Sequence, residues 1–235
     1  MPIYLNLQRF QRDVLLQEIK SVKTFYYIKL KAIEYLMTFW TGNKSPVRPY
    51  LYIDSENQNR LYIVNDDGCK IVSFGFNYLV KTYQKELAAP NNSVLCLNYR
   101  GQKGTISLLN VSEAQSILSE LNFEENHYYW GMDFGVSVED ESIRFFEHII
   151  FSEPSYLRYD NTTIGYKPLI HPRYHFDICF TPCVSYKFGL PKHIEHYEME
   201  QILDKSKYCP IMSLSPSTLH PLKKNIRSKK NRGKR

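Results

Sequence analysis

The residues that can do acid–base chemistry are concentrated in one segment, RYDNTTIGYKPLIHPRYHFDICF, which runs from Arg158 to Phe180. From His171 onward ionisable and apolar residues alternate, with His171, Arg173, His175 and Asp177 at one parity and Tyr174, Phe176, Ile178 and Phe180 at the other. Successive side chains of a β-strand point to opposite faces of its sheet. The alternation therefore predicts a strand with one apolar, buried face and one face that carries the ionisable groups.

A second strand is predicted just before this one, in YLRYDN, where Arg158 and Asp160 share one face. If the two strands pair through the TTIGYKPLI connection, Arg158 and Asp160 lie opposite His175 and Asp177. Cross-strand neighbours are about 5 Å apart at Cβ, so these side chains can hydrogen-bond to one another. His148, in EHII, is predicted to come from a neighbouring strand.

This set of residue types predicts acid–base cleavage of a phosphodiester without a metal. A histidine titrates near neutral pH and moves protons by itself, while an arginine binds phosphate through two hydrogen bonds and stabilises the charge of the transition state. In RNA the 2′-hydroxyl is an internal nucleophile. We predict His175 as the general base or acid and His171 as its complement. Arg158 then holds the phosphate, and Asp160 or Asp177 orients a histidine.

Two other interpretations fit the same residues. The first is a solvated sheet face whose charges form weak surface pairs, because antiparallel sheets often have one wet face. The second is a metal site in which His171, His175 and Asp177 are the ligands. On an extended strand these two histidines stand about 13 Å apart, so only a bend at Pro172 lets them share one ion. We predict no metal and no cofactor.

The motif RYD, a short spacer and HPRYHFDI resembles a bacterial family of unknown function, which has Arg-x-Asp followed by His-Pro-x-x-His-x-His near its carboxyl end. The matching positions here are Arg158, Asp160, His171, Pro172 and His175. Asp177 departs from that pattern, which has a third histidine at this place. The RYDN element also looks like small toxin components of toxin–antitoxin pairs. The resemblance covers residues 156–203 and implies a bacterial protein of a toxin or anti-phage defence system.

The formal net charge of +6 comes from the carboxyl-terminal end of the chain. The last fourteen residues, LKKNIRSKKNRGKR, hold eight Lys or Arg and no acid, so the remainder carries a formal charge of −2. Basic blocks of this kind are often disordered and contact nucleic acid. The predicted nucleic-acid contacts are Lys223, Lys224, Arg227, Lys229, Lys230 and Arg232. A solubilising tail without a partner is the open alternative.

We expect RNA rather than DNA as the partner, with Tyr159, Tyr166 and Tyr174 as stacking surfaces for unpaired bases. The alternative is a non-catalytic module whose ionisable face docks nucleic acid or protein, and the amino-terminal helices are a further candidate protein-binding unit. The chain has no GxxxxGK[ST], GxGxxG or GxSxG motif, which gives no support to nucleotide hydrolysis, Rossmann cofactors or hydrolase elbows. The histidines and glutamates of KHIEHYEME are predicted to form a solvated helix face.

The sequence predicts a cytoplasmic protein without a membrane partner. Its longest apolar runs are far shorter than the roughly 20 residues that a membrane-spanning helix needs. The first residues, MPIYLNLQRFQRD, lack the basic and then apolar layout of a signal peptide. Five cysteines without a CxxC pair indicate free thiols in a reducing compartment.

Hydrophobic periodicity predicts an α+β protein. Apolar residues at three- and four-residue steps predict a helical hairpin over residues 7–39 with a break at 21–24, and PYLYIDSENQNRLYIVNDDGCKIVSFGF reads as a strand meander. Further helices are predicted over residues 76–87, after a cap at Ser112, and over residues 194–207. SVLCLNY, GTISLLN, YYWGMDFGVSVED and IRFFEHIIF are predicted as strands.

In the predicted architecture, an amino-terminal helical hairpin packs on a twisted, mainly antiparallel β-sheet, followed by a carboxyl-terminal helix and a disordered basic tail. The predicted units are a helical unit at residues 1–45, an α+β sheet domain at residues 46–209 and a flexible tail at residues 210–235.

Overall fold

The structure, a computed structural model, describes residues 3–42, 45–54, 58–84, 93–99, 104–121, 140–152, 155–178 and 186–204. Within these ranges the helices are α1 (Arg9–Leu15), α2 (Val22–Phe39), α3 (Leu108–Glu120), α4 (Asp140–Phe151) and α5 (His196–Leu203). The strands are β1 (Ile3–Asn6), β2 (Tyr50–Asp54), β3 (Arg60–Val64), β4 (Lys70–Gly75), β5 (Tyr78–Gln84), β6 (Ser93–Tyr99), β7 (Thr105–Ile106), β8 (Leu157–Asn161), β9 (Tyr174–Ile178) and β10 (Tyr186–Gly189). The predicted α+β class is confirmed.

A seven-stranded antiparallel sheet in the order β1-β2-β3-β4-β8-β9-β10 is the centre of the fold. One face packs against α2 and belongs to a core that also contains α3, α4 and the small sheet β5-β6-β7. The other face belongs to a second core, in which Ile194 and Met199 of the α5 region cover a row of tyrosines. Because both faces are covered, β2, β3 and β4 are buried along most of their length.

The amino-terminal helical hairpin and the strand meander agree with the sequence. The break lies at residues 16–21, earlier than the predicted 21–24: the Ser21 hydroxyl accepts a hydrogen bond from the Thr24 amide at 3.1 Å and caps α2, which begins at Val22. Asp66–Gly68 connects β3 to β4, and Gly68 has a φ of +68°, a conformation that favours glycine. The structure adds β1, which was not predicted and which pairs with β2.

Two predicted elements have the wrong type. The helix predicted from Phe76 is strand β5, because Tyr, Val and Thr at Tyr78–Gln84 favour a pleated strand and pair with β6 over seven residues. The strand predicted in IRFFEHIIF is helix α4, whose buried residues Ser142, Phe145, Phe146, Ile149 and Ile150 recur at helical steps. His148 therefore comes from a helix, where it contacts the Tyr78 hydroxyl. Most of YYWGMDFGVSVED lies outside the described residues.

Helix α3 begins earlier than predicted. GTISLLN contributes only the two residues of β7, and the cap is Ser107, whose hydroxyl oxygen accepts from the Asn110 amide at 3.1 Å. The Asn110 side-chain oxygen accepts in turn from the Ser107 amide at 2.8 Å. Ser112, the predicted cap, lies inside the helix. The last helix, α5, ends at Leu203, and residues 205–207 lie outside the described residues.

Replacing Ser107 with alanine is expected to lower the free energy of unfolding by about 1 kcal/mol, because the Asn110 amide in the first turn of α3 loses its acceptor. Ser112→Ala is the matched control, since it lies within the same helix and alanine has the higher helix propensity. Urea unfolding of the two variants measures the difference. An equal effect of both substitutions would place the cap elsewhere.

Candidate functional site

The predicted pairing of the two carboxyl-terminal strands is confirmed. In the β8–β9 hairpin, Arg158 pairs with Asp177 and Asp160 pairs with His175. Both pairs point to the face of the sheet that carries Val72 of β4, which is the partner of Arg158 on its other side. The opposite face carries Tyr159 and Phe176, which are buried in the second core. The parity argument therefore holds for both faces over Tyr174–Ile178, whereas His171 and Arg173 precede the strand and Phe180 lies outside the described residues.

The ionisable face is not a solvated face. The side chains of His175 and Asp177 are only 1% and 6% exposed, and those of Asp160 and Arg158 are 15% and 22% exposed. Val72, the β4 neighbour of Arg158 on this face, belongs to the large core, and the low exposure of the four side chains shows that water has little access to them. Charges in such a place interact more strongly than surface pairs, and each has to be compensated. The interpretation as weak surface pairs is thus wrong for these four residues.

Arg158 is the centre of this arrangement. Its Nε donates to Oδ2 of Asp160 at 2.6 Å, and its Nη2 donates to Oδ2 of Asp177. The guanidinium of Arg158 therefore donates hydrogen bonds to both carboxylates. In this structure it binds acids within the protein, and the phosphate-holding role predicted for it needs another cation at the surface.

Lys187 on β10 is that cation, and sequence reasoning missed it. It pairs with Asp177 across β9 and β10, and its Nζ donates to Oδ1 of Asp177 at 2.5 Å. Its side chain is 32% exposed, more than any other member of the group. The only sequence signal was a lysine between two aromatic residues in YKFG, which indicated a strand without revealing its register. We call Arg158, Asp160, His175, Asp177 and Lys187 the hairpin cluster.

The tautomer of His175 follows from its two contacts. Nε2 lies 3.2 Å from Nζ of Lys187, and an ammonium only donates, so Nε2 accepts. Nδ1 then carries the proton and donates to the carbonyl oxygen of Pro172 at 2.8 Å. Burial lowers the pKa of His175, the charge of Lys187 lowers it further, and the two aspartates oppose this in part. His175 is therefore neutral at neutral pH.

The carboxylates do not orient His175 directly. Its Nε2 is 3.7 Å from Oδ2 of Asp160 and 3.9 Å from Oδ1 of Asp177, beyond hydrogen-bond distance. The carbonyl of Pro172 does this instead. Gly189 allows Pro172 to approach, because a Cβ at that position would lie 2.9 Å from its Cγ.

His171 lies much closer to His175 than an extended strand allows. Strand β9 begins at Tyr174, and the bend that precedes it brings the two imidazole rings to a centroid distance of 4.7 Å. The separation of about 13 Å applies to a fully extended strand, and the bend at Pro172 that was named as the exception is present. His171 is half-buried, and its Nδ1 donates to the carbonyl oxygen of Gly165 at 3.2 Å. In both histidines Nδ1 contacts a backbone carbonyl. Nε2 of His175 accepts from Lys187, and Nε2 of His171 is the ring nitrogen that does not contact Gly165.

Lys70 of β4 continues the row behind Asp160. The two residues pair across β4 and β8, and Nζ of Lys70 donates to the carbonyl oxygen of Leu16 at 2.7 Å. Burial lowers the pKa of Lys70, and the positive charge of Arg158 lowers it further. The two aspartates are thus surrounded by basic groups on both sides of the hairpin.

Three members of the hairpin cluster offer metal-ligand atoms. One ligand atom each from Asp160, His175 and Asp177 can be chosen so that all lie within 4.8 Å of one another, and a donor set of this kind suits divalent transition metals. Arg158 and Lys187 already balance the two carboxylate charges and donate to them. A divalent cation would have to displace Lys187, so the donor atoms fit a metal but the charge balance does not.

The remaining predicted residues are not members of the hairpin cluster as the structure describes it. The basic residues from Lys223 to Arg232 lie outside the described residues. The histidine-rich segment before and within α5 is only partly solvated. His193, Glu195 and Glu198 are partly exposed, but His196 is buried against the sheet, where its Nδ1 contacts the Tyr50 hydroxyl at 2.9 Å. His193 contacts the Tyr159 hydroxyl at 2.7 Å.

Comparison of the chain with models of protein families, with curated proteins and with solved structures gives no match. Within the described ranges, no helix is both long enough and apolar enough to cross a membrane. The site therefore has to be interpreted from its own geometry.

Proposed function

We propose that the protein cleaves single-stranded RNA at the hairpin cluster and His171 by acid–base chemistry without a metal. The observation that carries this proposal is the contact between a half-buried and a fully buried histidine beside a partly exposed lysine. His171 presents a proton acceptor at the surface, and Lys187 presents a cation beside it on the edge strand. The buried carboxylates and Arg158 position the lysine. The motif's resemblance to toxin components favours a role in a toxin or anti-phage defence system.

In the proposed reaction, Nε2 of His171 takes the proton of the 2′-hydroxyl while its oxygen forms a bond to phosphorus. The bond from phosphorus to the 5′ oxygen breaks, and that oxygen takes a proton from the Lys187 ammonium. Lys187 also stabilises the negative charge that grows on the phosphate oxygens. Proton exchange with water then restores both groups. The products are a 2′,3′-cyclic phosphate and a 5′-hydroxyl.

His175 acts through Lys187. Because its pKa is lowered, it is neutral and accepts a hydrogen bond from Nζ, together with Asp177. These two acceptors hold the ammonium in place. His175 is thus a positioning residue in this proposal, while His171 and Lys187 are the groups that touch RNA. Charge balance supports chemistry without a metal, since a divalent ion would compete with the lysine for Asp177.

Purified protein is expected to cut single-stranded RNA in the presence of EDTA, and His171→Ala is expected to reduce the cleavage rate roughly 100-fold, the usual contribution of one acid–base group. Lys187→Ala is expected to reduce it by a similar factor. Electrophoresis of an end-labelled RNA measures the rate, and mass spectrometry identifies the cyclic phosphate. A single 2′-deoxy substitution should protect the bond that follows it.

Two matched variants control for indirect effects. His193→Asn changes a histidine outside the cluster, and Lys192→Ala removes an exposed lysine whose Nζ pairs with Glu198. Both should cleave at the wild-type rate. Absence of cleavage by the wild-type protein would refute the proposal, and cleavage only after addition of a divalent ion would refute its metal-free form.

A further inference from the structure

Next to the histidines, the connection between β8 and β9 exposes apolar side chains. Ile164, Leu169 and Ile170 are each more than 70% exposed, and Tyr166 is 52% exposed. Apolar side chains concentrated in one loop in this way indicate a contact surface. Edge strand β10 adds Tyr186 and Phe188, which are also exposed. These two residues pair with Ile178 and Phe176, and so lie on the sheet face opposite His175.

The charged groups of this connection are basic. Lys167 and Arg173 are exposed, and the described residues 161–173 contain no acid. Nε of Arg173 donates to the side-chain oxygen of Asn161 at 3.2 Å, and its guanidinium lies 5.0 Å from the ring centre of Tyr174. An arginine held over an aromatic ring, with no ion pair to a carboxylate among the described residues, suits an anionic partner that has flat rings.

A cleft of about 530 Å³ lies at this place. Its walls include Tyr166, Arg173, Tyr174, Pro172 and Leu190. Two aromatic rings and a guanidinium plane are the groups on which unpaired nucleobases stack, while prolines and a leucine add a rigid apolar lining. None of the described residues that line the cleft is acidic.

From these observations we propose that the cleft binds an unpaired nucleobase, and that the surface formed by the β8–β9 connection and β10 binds single-stranded RNA. This inference rests on the proposed function and names the place where its substrate binds. Pro172 connects the cleft to the hairpin cluster. It lines the cleft, its carbonyl oxygen orients His175, and His171 precedes it in the chain. The RNA strand attached to a base in the cleft would pass the edge of the sheet at β10. From there it could reach His171 and Lys187, which lie on the face opposite Tyr174.

Binding is tested with a 2′-O-methyl oligouridine of about 12 nucleotides, because the blocked 2′-oxygen prevents the proposed cleavage. Fluorescence anisotropy with the full-length protein measures the dissociation constant. Tyr166→Ala and Arg173→Ala are each expected to weaken binding about 10-fold, the loss expected for one stacking partner. Tyr197→Ala and Arg144→Ala, which alter exposed residues on α5 and α4, are the matched controls and should bind as the wild type does.

The outcomes separate this inference from the proposed function. Binding that depends on Tyr166 supports the cleft even if RNA is not cut, whereas cleavage with unchanged binding of Tyr166→Ala and Arg173→Ala overturns the cleft alone. Analytical ultracentrifugation of the free protein tests whether a second copy of the chain covers this surface instead. A dimer that Ile170→Ser dissociates would show that the apolar residues dock a second copy of the chain, and it would overturn the assignment to RNA.

Discussion

Replacing Arg158 with alanine is expected to lower the free energy of unfolding by about 3–5 kcal/mol, the usual cost of removing one partner from a buried ion pair. Arg158 donates to both Asp160 and Asp177, whose side chains are 15% and 6% exposed. Without the guanidinium, two carboxylates remain in a place that water barely reaches. Lys187 compensates only one of them. Urea unfolding followed by circular dichroism measures the change.

Arg144→Ala is the matched control for this prediction. Nη1 of Arg144 lies 3.0 Å from Oε2 of Glu141 on the surface of α4, and the arginine side chain is 58% exposed. Such pairs contribute less than about 1 kcal/mol, and neighbours on one helix about half of that. If the two arginine variants unfold at the same urea concentration, the hairpin cluster does not stabilise the fold.

A combined variant shows why Arg158→Ala lowers the free energy of unfolding. Arg158→Met together with Asp160→Asn and Asp177→Asn removes both buried negative charges along with the guanidinium. Because the main cost of Arg158→Ala is an uncompensated charge, the combined variant is expected to be more stable than Arg158→Ala. A combined variant that is less stable would instead attribute the loss to packing.

The second large effect is a loss of stability in acid, caused by His196. Its ring lies between three tyrosines, with centroid distances of 5.6 Å to Tyr50, 5.1 Å to Tyr52 and 4.9 Å to Tyr62. Burial lowers the pKa of His196 to about 4, and the charge of Arg48 contributes to the shift. The folded protein therefore keeps this imidazole neutral over a pH range in which the unfolded chain protonates it.

The direction of the pH dependence follows from proton binding. Below the ordinary pKa of about 6.5 the unfolded chain binds a proton that the folded protein does not bind, so acid favours unfolding. The effect is absent above pH 6.5 and grows until the pH reaches about 4. The difference between a pKa of about 6.5 in the unfolded chain and about 4 in the folded protein corresponds to about 3 kcal/mol of unfolding free energy. Burial lowers the pKa of His148 and of His175 as well, so these residues act in the same direction.

His196→Phe is expected to remove most of this dependence while keeping an aromatic ring among the tyrosines. Urea unfolding at about pH 7 and about pH 4.5 gives the decrease in unfolding free energy for each protein. This decrease should be about 2–3 kcal/mol larger in the wild type than in the variant. Tyr197→Phe, on the same helix but exposed, should behave as the wild type does. Equal losses in all three proteins would contradict a buried, neutral His196.

The local elements of the site could be predicted because they depend on a period of two. The alternation in RYHFDI specified strand β9 and assigned His175 and Asp177 to one face, and the RYD element did the same for β8. Their pairing also followed, since consecutive strands joined by a turn-rich connection usually form a hairpin. The amino-terminal helices and the α+β class came from apolar periodicity in the same way.

Where two patterns fit, the sequence alone led to errors. IRFFEHIIF has enough apolar residues to fit either a strand or a helix, and only packing against α3 and the small sheet selects the helix. The opposite error was made at Tyr78–Gln84, where pairing with β6 decides for a strand. A short apolar run is ambiguous because its conformation depends on what covers it.

The sequence by itself determined the class of the fold, the β8–β9 hairpin and the sharing of one face by Arg158, Asp160, His175 and Asp177. Only the tertiary structure decided that these side chains are largely buried, on a face where Val72, the β4 neighbour of Arg158, belongs to the large core. Tertiary structure also brought His171 to His175 through the bend at Pro172 and placed Lys187 beside Asp177 through the register of β10. Burial and register depend on residues far apart in sequence, so the spacing within one segment cannot specify them.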